Sequence, residues 1–399
     1  MNISTTANPQ SAVQRASKPP AAAITGVADT AVGELPGSTA LGLHTEAAWA
    51  ALLDAGLSAA DIDGVLCAYT MSAPVPMLSS VFCEAMGLQP AFNTALQAGG
   101  ATATIMLANA VALVNSGMCR HVLCVTGDNR ATGMTRDGAV AALAGFGHPQ
   151  FEQPYGMSIP AAYALVAQAY MHEYGVSRDA LSAFAVVARQ YAAAHPKAHK
   201  RTPITLADVA ASRPIASPLR MLDCCLISDG GAAFIVSAAD AGADTRKPVR
   251  ILGTGQGHTH EHIMAAPSLL EFGCRQSSQQ AFAQAGVTAA DIDIAQIYDS
   301  FTITLLVELE SIGFFAKGEA GQAVLDGALS PGGRLPCNTH GGLLSYGHSG
   351  AAGGAFHIVE AVLQLRGEAG SRQVGAPALG FVHGDGGVLS AHCSVVLGS

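Results

Sequence analysis

Charged residues are scarce in this chain. They account for 12% of its 399 residues, while half of all residues are hydrophobic. The net charge is −9, and no basic cluster is longer than residues 199–201. The sequence therefore lacks the basic surface that nucleic-acid binding requires. So much apolar material with so few charges predicts a large core and an oligomer.

Membrane-spanning runs and a secretion signal are missing as well. No segment has the roughly 18 to 20 uncharged residues of a membrane helix without being amphipathic, alanine-rich or interrupted by glycine. Residues 1–20 are rich in Ser, Thr, Ala, Pro and Gln but lack a compact apolar stretch. They predict a disordered N-terminal tail and not a signal peptide. We therefore expect a soluble, cytoplasmic protein.

Cysteine patterns typical of metal or disulfide sites are also absent. The nine cysteines are irregularly spaced, odd in number and contain no CxxC pair, which favours buried reduced thiols. His258, His260 and His262 alternate and could hold zinc if they lay on a strand. A polar loop after a strand is the favoured interpretation of these histidines.

What the sequence does contain is one supersecondary unit twice. The run AGLSAADID at 55–63 returns as AGVTAADID at 285–293. The apolar stretches 100–117 and 350–367 are equally long and both open with Gly and Ala. These pairs indicate a duplication, in which two similar halves share one core.

A third pair, DGG at 229–231 and at 385–387, precedes a strand-like run in each half. The chain leading to it is longer in the first half, so we predict an insertion at about residues 130–213. This insertion includes an aromatic loop at 148–156. Long insertions on α/β scaffolds commonly form lids or substrate-binding elements.

Strand and helix patterns alternate along the first half. They predict strands at 21–27, 62–68 and 122–126, an amphipathic helix at 44–55, a buried helix at 99–116 and a turn at 127–129. This alternation is typical of βαβ units with a parallel or mixed sheet. We therefore predict an α/β protein with an N-terminal half at 21–245 and a C-terminal half at 246–399.

The segment NTHGGLLSYGHSG at 338–350 is the strongest candidate for chemistry. It surrounds His340, Tyr346 and His348 with glycines directly before a buried helix. Backbone N–H groups and the helix dipole there would suit an oxyanion or a thioester carbonyl. The glycines alone are also typical of a tight turn with φ > 0. The imidazoles and the phenol add groups that transfer protons.

The order GGLLSYGH at 341–348, after Asn338, resembles the C-terminal histidine motif of thiolases, most closely their lipid-transfer or sterol-carrier-type branch. SPLRMLDCC at 217–225, YDSF at 298–301 and VHGDGG at 382–387 agree with it. The resemblance covers about residue 20 to the end. It implies a thiolase fold, whose two duplicated α/β halves form a five-layered α/β/α/β/α core with the active site between them. It also implies a CoA-thioester substrate, a homodimer, no tightly bound cofactor and no metal.

The catalytic set departs from that of thiolases. Gly100 stands where thiolases carry the nucleophilic cysteine, so no acyl-enzyme is expected there. Tyr298 replaces the asparagine of the Asn-Glu-Ala-Phe motif, and the second thiolase cysteine falls near His383. Only His348 keeps its residue type. Three possibilities follow: the pocket catalyses a different reaction, it binds its ligand without catalysis, or another cysteine replaces the missing nucleophile.

Retro-aldol cleavage of a β-hydroxyacyl-CoA fits the first possibility, because it needs a base and enolate donors but no covalent intermediate. The chain resembles the retro-aldolase subgroup of the lipid-transfer thiolases, which uses tyrosines on steroid-like CoA thioesters. That resemblance assigns Tyr298 and Tyr346 to proton transfer and His348 to donation toward the enolate or carbonyl. A tyrosine base needs a pKa well below about 10.

Five further residues are assigned to oxyanion or substrate binding: Gly100, His340, Gly347, His383 and Gly386. The resemblance also implies a separate OB-fold zinc-ribbon partner. Two alternatives remain open. One is a Claisen-type acyltransferase with an unconventional nucleophile, for which Cys224 and Cys225 are candidates. The other is a non-catalytic lipid or acyl-CoA binding subunit.

Overall fold

The computed structural model of the chain describes residues 22–239 and 247–399. The predicted tail at 1–20 and the predicted boundary at 245/246 lie outside the described residues. Strands are numbered along the chain: β1 Ala22–Asp29, β2 Gly64–Ala68, β3 Phe92–Leu96, β4 His121–Asn129, β5 Pro214–Ala216, β6 Leu219–Arg220, β7 Asp229–Ala238, β8 Val249–His258, β9 Ile294–Ile297, β10 Leu379–Gly386 and β11 Ala391–Gly398.

Helices are numbered in the same way: α1 Ala40–Ala55, α2 Leu78–Met86, α3 Thr102–Asn115, α4 Arg136–Ala144, α5 Ile159–Tyr174, α6 Arg178–Ala193, α7 Leu206–Ala211, α8 Cys274–Ala285, α9 Thr302–Ile312, α10 Ala320–Leu325, α11 Gly342–Ser345 and α12 Ala352–Arg366. Among the described residues, no helix has both the length and the apolar composition needed to cross a bilayer.

Nine of the strands form one mixed sheet in the order β3-β2-β4-β7-β1-β8-β11-β10-β9. Three parallel strands, β3, β2 and β4, lie at the edge of the first half, and two, β9 and β10, lie at the edge of the second; antiparallel strands follow inward in both. The two halves meet at β1 and β8 through only two residue pairs, Ala23 with Arg250 and Ile24 with Val249. The junction between the two halves of the sheet is therefore short.

The duplication predicted from the repeated nonapeptide is present in the structure. Helices α1 and α8 both end at a left-handed glycine, Gly56 or Gly286, which suits a residue without Cβ. A short 3₁₀ turn follows, in which the aspartate at the end of Ser58–Asp61 or Thr288–Asp291 accepts from the backbone N–H of the first residue at 2.8 Å. Identical local chemistry thus sets the same entry into β2 and β9.

The helices form three layers around the two halves of the sheet. Helix α1 packs on the outer face of β1, β4 and β7, and α8 packs on β8 and β11. Helices α3 and α12, the predicted equivalent pair, pack on each other and on strands of both halves. They are apolar on nearly every side because sheet lies on both sides of them. This arrangement is the predicted five-layered α/β/α/β/α core.

Two sequence-based expectations on local structure are wrong. Asp229 begins β7, whereas Asp385 lies near the end of β10, so the two DGG runs are not equivalent. The predicted turn at 127–129 is the last part of β4. Strand pairing explains both differences. Gly127–Asn129 pairs in register with Asp229–Gly231 and extends β4 and β7, and Asp385 and Gly386 pair with His392 and Ala391 and extend β10. Glycine-rich runs were interpreted as turns where they are paired strands.

Candidate active site

A cavity of about 680 Å³ opens where the two halves and the insertion meet. Several of its residues directly follow parallel strands: Tyr69 follows β2, Arg130 follows β4 and Tyr298 follows β9. Ligand sites of α/β sheets lie at these carboxyl ends. The insertion contributes mainly apolar residues to the cavity: Met134, Leu143, Phe146, Ile159, Pro160 and Tyr163.

Tyr298 and His348 form the polar centre of this cavity. The Tyr298 hydroxyl lies 2.9 Å from His348 Nε2, and the rings meet edge to face. The backbone N–H of His348 donates to Ser228 Oγ at 3.3 Å. The chain turns at Gly350, whose φ is 73°, before it enters α12. The structure therefore brings together two of the three residues to which the sequence analysis assigned catalytic roles.

Gly100 explains how the phenol fits. A Cβ added to Gly100 would overlap the ring carbon Cζ and the hydroxyl oxygen of Tyr298, and also the carbonyl oxygen of Asp385. Such overlaps do not occur in real structures, and the backbone carbonyl cannot move aside as a flexible side chain would. The phenol of Tyr298 therefore occupies the space into which a side chain at position 100 would extend.

The electrostatic setting keeps His348 neutral. Burial, together with the neighbouring Arg130 guanidinium, lowers the pKa of His348 to about 3. Arg130 Nη1 lies 3.5 Å from His348 Nδ1. Because a guanidinium only donates, we assign the lone pair of the neutral ring to Nδ1 and its proton to Nε2. In this tautomer the imidazole donates from Nε2 to the oxygen of Tyr298.

Tyr298 is a neutral phenol in the free protein. Burial raises its pKa well above the usual value, and Cys225, Tyr69 and Asp385 add to this effect, while Arg130 acts in the opposite direction. Because His348 occupies one side of the oxygen as a donor, the phenol proton is available to an acceptor in the cavity. Deprotonation would leave a phenolate stabilised by the imidazole N–H and by the Arg130 charge.

Arg130 was missed by sequence reasoning. It is 5% exposed and lines the cavity, and its Nε–H has no hydrogen-bond partner within residues 22–239 and 247–399. A buried cationic donor without an acceptor suits a ligand that carries negative charge. Its signal was its position directly after residues 127–129, which were interpreted as a turn that follows the β-rich run 122–126.

Tyr163 and Asp385 were also missed. The Tyr163 hydroxyl donates to Asp385 Oδ2 at 2.8 Å, and both residues line the cavity. The Tyr163 ring packs on Phe301 with centroids 4.4 Å apart. Tyr163 lies within the helical apolar pattern of α5, and this pattern does not distinguish a core residue from one that faces a cavity.

Tyr346 is not a lining residue of the cavity, contrary to the expectation that both tyrosines converge on it. Its hydroxyl donates to Asp29, which also pairs with Lys197. Its ring packs against His195 and His340 with centroids 4.7 and 5.0 Å away. The reason is local: Tyr346 ends the single turn of α11, whereas His348 belongs to the glycine turn beyond it.

The five predicted binding residues are dispersed. Gly100 lines the cavity, and Gly386 lies in the chain between two lining residues, Asp385 and Gly387. The other three positions, His340, Gly347 and His383, are buried and do not line the cavity. These three residues belong to the motifs in sequence, but membership of the motifs does not bring them to the cavity.

The remaining candidates are the two cysteines at 224–225 and the alternating histidines at 258–262, and none of them is placed or ionised as the alternative roles require. Cys224 and Cys225 line the cavity, and Cys225 Sγ lies 3.6 Å from His348 Nδ1. Burial raises the pKa of Cys225 to about 12, so it is a thiol and not a nucleophilic thiolate at neutral pH. His258 ends β8, while His260 and His262 follow in the loop, as the favoured interpretation expected.

Two duplicated α/β halves around a buried helix pair, with a cavity between them, define the thiolase class of protein. Residues 255–399 match the family model described as thiolase C-terminal domain-like. A 17-hydroxy-3-oxo-4-pregnene-20-carboxyl-CoA lyase of Mycobacterium tuberculosis is 37% identical over 87% of this chain and 92% of its own length. An acetyl-CoA acetyltransferase of Methanothermobacter thermautotrophicus is 33% identical over 93% of this chain and 98% of its own length.

A solved structure, the Ltp2-ChsH2(DUF35) aldolase, superposes with a TM-score of 0.84 at 34% identity and covers 96% of this chain and 99% of its own. The chain belongs to the thiolase superfamily, in the lipid-transfer branch that includes such aldolases. It is a thiolase-like enzyme. The predicted fold, family and class of enzyme are thereby confirmed.

Proposed function

We propose that this enzyme cleaves a β-hydroxyacyl-CoA by a retro-aldol reaction in which Tyr298 transfers the proton and no acyl-enzyme forms. The observation that carries the proposal is the exclusion of any side chain at Gly100 by the phenol of Tyr298. Where related thiolases would present a thiol, this pocket presents a proton-transfer group bonded to His348. The relatives named as an aldolase and as a CoA lyase support the same reaction and a CoA-thioester substrate.

A tyrosine base was expected to need a pKa well below about 10, whereas burial raises the pKa of Tyr298 in the free protein. The reacting form is therefore the fraction of the enzyme that carries Tyr298 as a phenolate. The phenolate removes the proton of the substrate β-hydroxyl, the Cα–Cβ bond breaks, and the β-carbon leaves as a ketone or an aldehyde. The electron pair of that bond becomes the enolate of the shortened thioester. The Tyr298 phenol then returns the same proton to the α-carbon, so that the phenolate is regenerated and the atoms balance.

Two neighbours have separate tasks in this scheme. His348 donates from Nε2 to the Tyr298 oxygen, which stabilises the phenolate and holds its orientation. Arg130 has the unpartnered Nε–H, and we assign it to the enolate oxygen of the thioester. This assignment moves the enolate contact from His348 to Arg130, because His348 Nε2 is already committed to the phenol.

An acyltransferase remains the second candidate, since one relative is an acetyl-CoA acetyltransferase. Its nucleophile would be Cys225, the thiol next to His348. The raised pKa of Cys225 argues against this role, because the thiolate is the reactive form.

The proposal includes a homodimer and a separate partner that completes the acyl-binding site. The name of the solved relative joins a second component, ChsH2(DUF35), to the aldolase. Met221 and Ile227 line the cavity and are 47% and 48% exposed. Apolar side chains exposed at a cavity mouth fit a partner that covers them.

The test is product analysis. The purified protein, alone and with a co-encoded DUF35 protein, is incubated with β-hydroxyacyl-CoA and β-ketoacyl-CoA esters that carry linear or polycyclic acyl groups. We expect a ketone or aldehyde plus a shortened CoA ester from the β-hydroxyacyl compounds, with no mass added to the protein. A shortened β-ketoacyl-CoA together with an acylated cysteine would instead establish the acyltransferase.

Tyr298→Phe removes the proton-transfer oxygen and keeps the ring that fills the space at Gly100. We expect it to lower kcat by about 10²- to 10⁴-fold, the usual contribution of a positioned acid-base group. Tyr155→Phe, at a tyrosine that is 85% exposed, is the matched control and should retain the activity. Full turnover by Tyr298→Phe would contradict the proposed role of Tyr298 in proton transfer.

A further inference from the structure

A second cluster of polar side chains lies behind the active-site cavity. It comprises Glu308 of α9, His383 of β10 and His392 of β11, all without exposed surface. One ligand-type atom from each lies within 4.8 Å of the others. None of the three lines the cavity, so the reaction proposed above does not use them.

The sheet register explains why these side chains meet. His383 and Asp385 are two residues apart on β10 and point to the same face. Their cross-strand partners on β11 are Ser394 and His392, which point to that face as well. Glu308 reaches the group from α9, with Oε1 at 3.6 Å from His383 Nε2. Two strands and one helix thus contribute to one buried group.

The two carboxylates of this group, Glu308 and Asp385, have oxygen atoms without a hydrogen-bond donor among the described residues. In the part of the chain that the structure describes, neither oxygen of Glu308 has a hydrogen-bond partner, although the side chain is completely buried. Oδ1 of Asp385, 1% exposed, also has none. A buried carboxylate without a partner is strongly destabilising, so it must hold a proton or face a cation.

In both His383 and His392, one ring nitrogen is held by a hydrogen bond and the other points into the cluster, as is usual for metal-binding histidines. His392 Nε2 lies 2.9 Å from the carbonyl oxygen of Leu389, and because a carbonyl only accepts, the ring proton is on Nε2. Its Nδ1 therefore presents a lone pair to the cluster. His383 Nδ1 lies 2.8 Å from Ser394 Oγ, which can hold that ring in the same way. Anchored outer nitrogens are the typical second contact of metal-bound imidazoles.

The spacing of the inner atoms suits one ion. His383 Nε2 and His392 Nδ1 are 3.1 Å apart, and Glu308 Oε1 lies 3.6 and 3.8 Å from them. Asp385 Oδ1 is 4.0 Å from His392 Nδ1. Ligand atoms around a tetrahedral zinc ion, each at about 2.0–2.2 Å from it, are separated by roughly 3.4 Å.

We propose that Glu308, His383 and His392 bind one Zn²⁺ ion, with Asp385 as the fourth ligand. Imidazole nitrogens combined with carboxylate oxygens suit this ion. The ion would join α9, β10 and β11, and it would neutralise both buried carboxylates. Asp385 also accepts from Tyr163 at the cavity, so the site would position that wall of the active site. The proposal departs from the sequence-based expectation of no metal.

The first measurement is the metal content of the full chain, produced in zinc-supplemented medium, freed of loosely bound metal and analysed by mass spectrometry. We expect about one zinc per chain, since buried His and carboxylate sites exchange their ion slowly. Production with Co²⁺ in place of zinc should give the visible absorption of a tetrahedral cobalt centre. A folded protein with less than about a tenth of an ion per chain would overturn the proposal, because a proton must then neutralise Glu308.

Variants locate the ion. Glu308→Gln and His392→Gln keep the shape of the side chains, and each should lower the zinc content or affinity at least about tenfold. His258→Gln, at an exposed histidine outside the cluster, is the control and should retain one zinc per chain. Circular dichroism verifies that the variants fold. Zinc retained equally by both cluster variants would place it elsewhere and overturn this site.

Discussion

Tyr346 and His348 are two residues apart in the segment 338–350, but their side chains lie in different surroundings. On the cavity side, His348 meets Tyr298 and Arg130. On the core side, Tyr346 meets Asp29 and packs against aromatic rings. The phenol beside the cavity has an N–H donor and a nearby cation, whereas the phenol in the core has a carboxylate acceptor.

This difference decides which phenol can act as a base. A carboxylate next to Tyr346 opposes a second negative charge and, with burial, raises the pKa of that phenol. Arg130 acts in the opposite direction on Tyr298. Both phenols are buried, so burial alone does not distinguish them. Their direct hydrogen-bond partners do, because Tyr298 meets the neutral imidazole of His348, whereas Tyr346 donates to the Asp29 carboxylate.

The largest expected effect comes from returning a cysteine to the cavity. Gly100→Cys places Cβ where the Tyr298 ring and the Asp385 carbonyl lie. Because the phenol is displaced, we expect kcat/KM of the variant to fall by about 10³-fold or more. We expect no acyl adduct on the new thiol. Ala108→Cys, a half-buried position farther along α3, controls for an added thiol. Retained cleavage by Gly100→Cys, measured beside intact-protein mass, would contradict the proposed arrangement.

Removal of the cation should be the next largest effect. Arg130→Met leaves Tyr298 without the charge that lowers its pKa and removes the donor assigned to the enolate. The reaction requires the phenolate, so its rate rises with pH toward the pKa of Tyr298. A higher pKa moves this rise to higher pH, and we expect about 10²-fold lower kcat at neutral pH.

The measurement for Arg130 is a pH profile of kcat/KM for wild type, Arg130→Met and the control Arg120→Met at an exposed position. The alkaline displacement should occur only in Arg130→Met. A uniform loss at every pH, without displacement, would limit Arg130 to binding the thioester.

Sequence reasoning reached the fold and part of the cavity for a physical reason. The repeat and the buried helices lie in contiguous segments whose local structure follows from period and residue type. The positions of Gly100, Tyr298 and His348 were instead reached through the resemblance of their motifs to those of thiolases. Tyr346 was misplaced because a single helical turn followed by glycines has no period that fixes which way a side chain points.

The missed residues depend on contacts between distant segments. Tyr163 belongs to the insertion and meets Asp385 of β10 only in the folded chain. Arg130 is at the end of β4, and β4 extends through Asn129 because it pairs with β7. The cluster of Glu308, His383 and His392 likewise depends on strand register. Such juxtapositions have no signal within a sequence window.

A smaller effect is expected at the wall of the cavity. Tyr163→Phe removes the donor to Asp385 Oδ2 and leaves the ring on Phe301. Because the hydroxyl is assigned to neither proton transfer nor the enolate, we expect about a tenfold loss, in kcat more than in KM. Steady-state kinetics on the cleaved β-hydroxyacyl-CoA separates the two. A loss as large as that of Tyr298→Phe would make Tyr163 the second proton-transfer tyrosine in place of Tyr346.

The smallest effect on turnover is expected at Tyr346. Tyr346→Phe removes the hydroxyl that donates to Asp29 but keeps the ring among His195, His340 and Phe356. We expect kcat/KM to change by no more than about twofold, or less than about 0.5 kcal/mol of transition-state stabilisation. Stability should fall by about 1–3 kcal/mol, because Asp29 loses a buried partner. Thermal unfolding and kinetics on one preparation measure both. A large loss of kcat at unchanged Tm would return Tyr346 to catalysis, and the two sides of the segment would then act together.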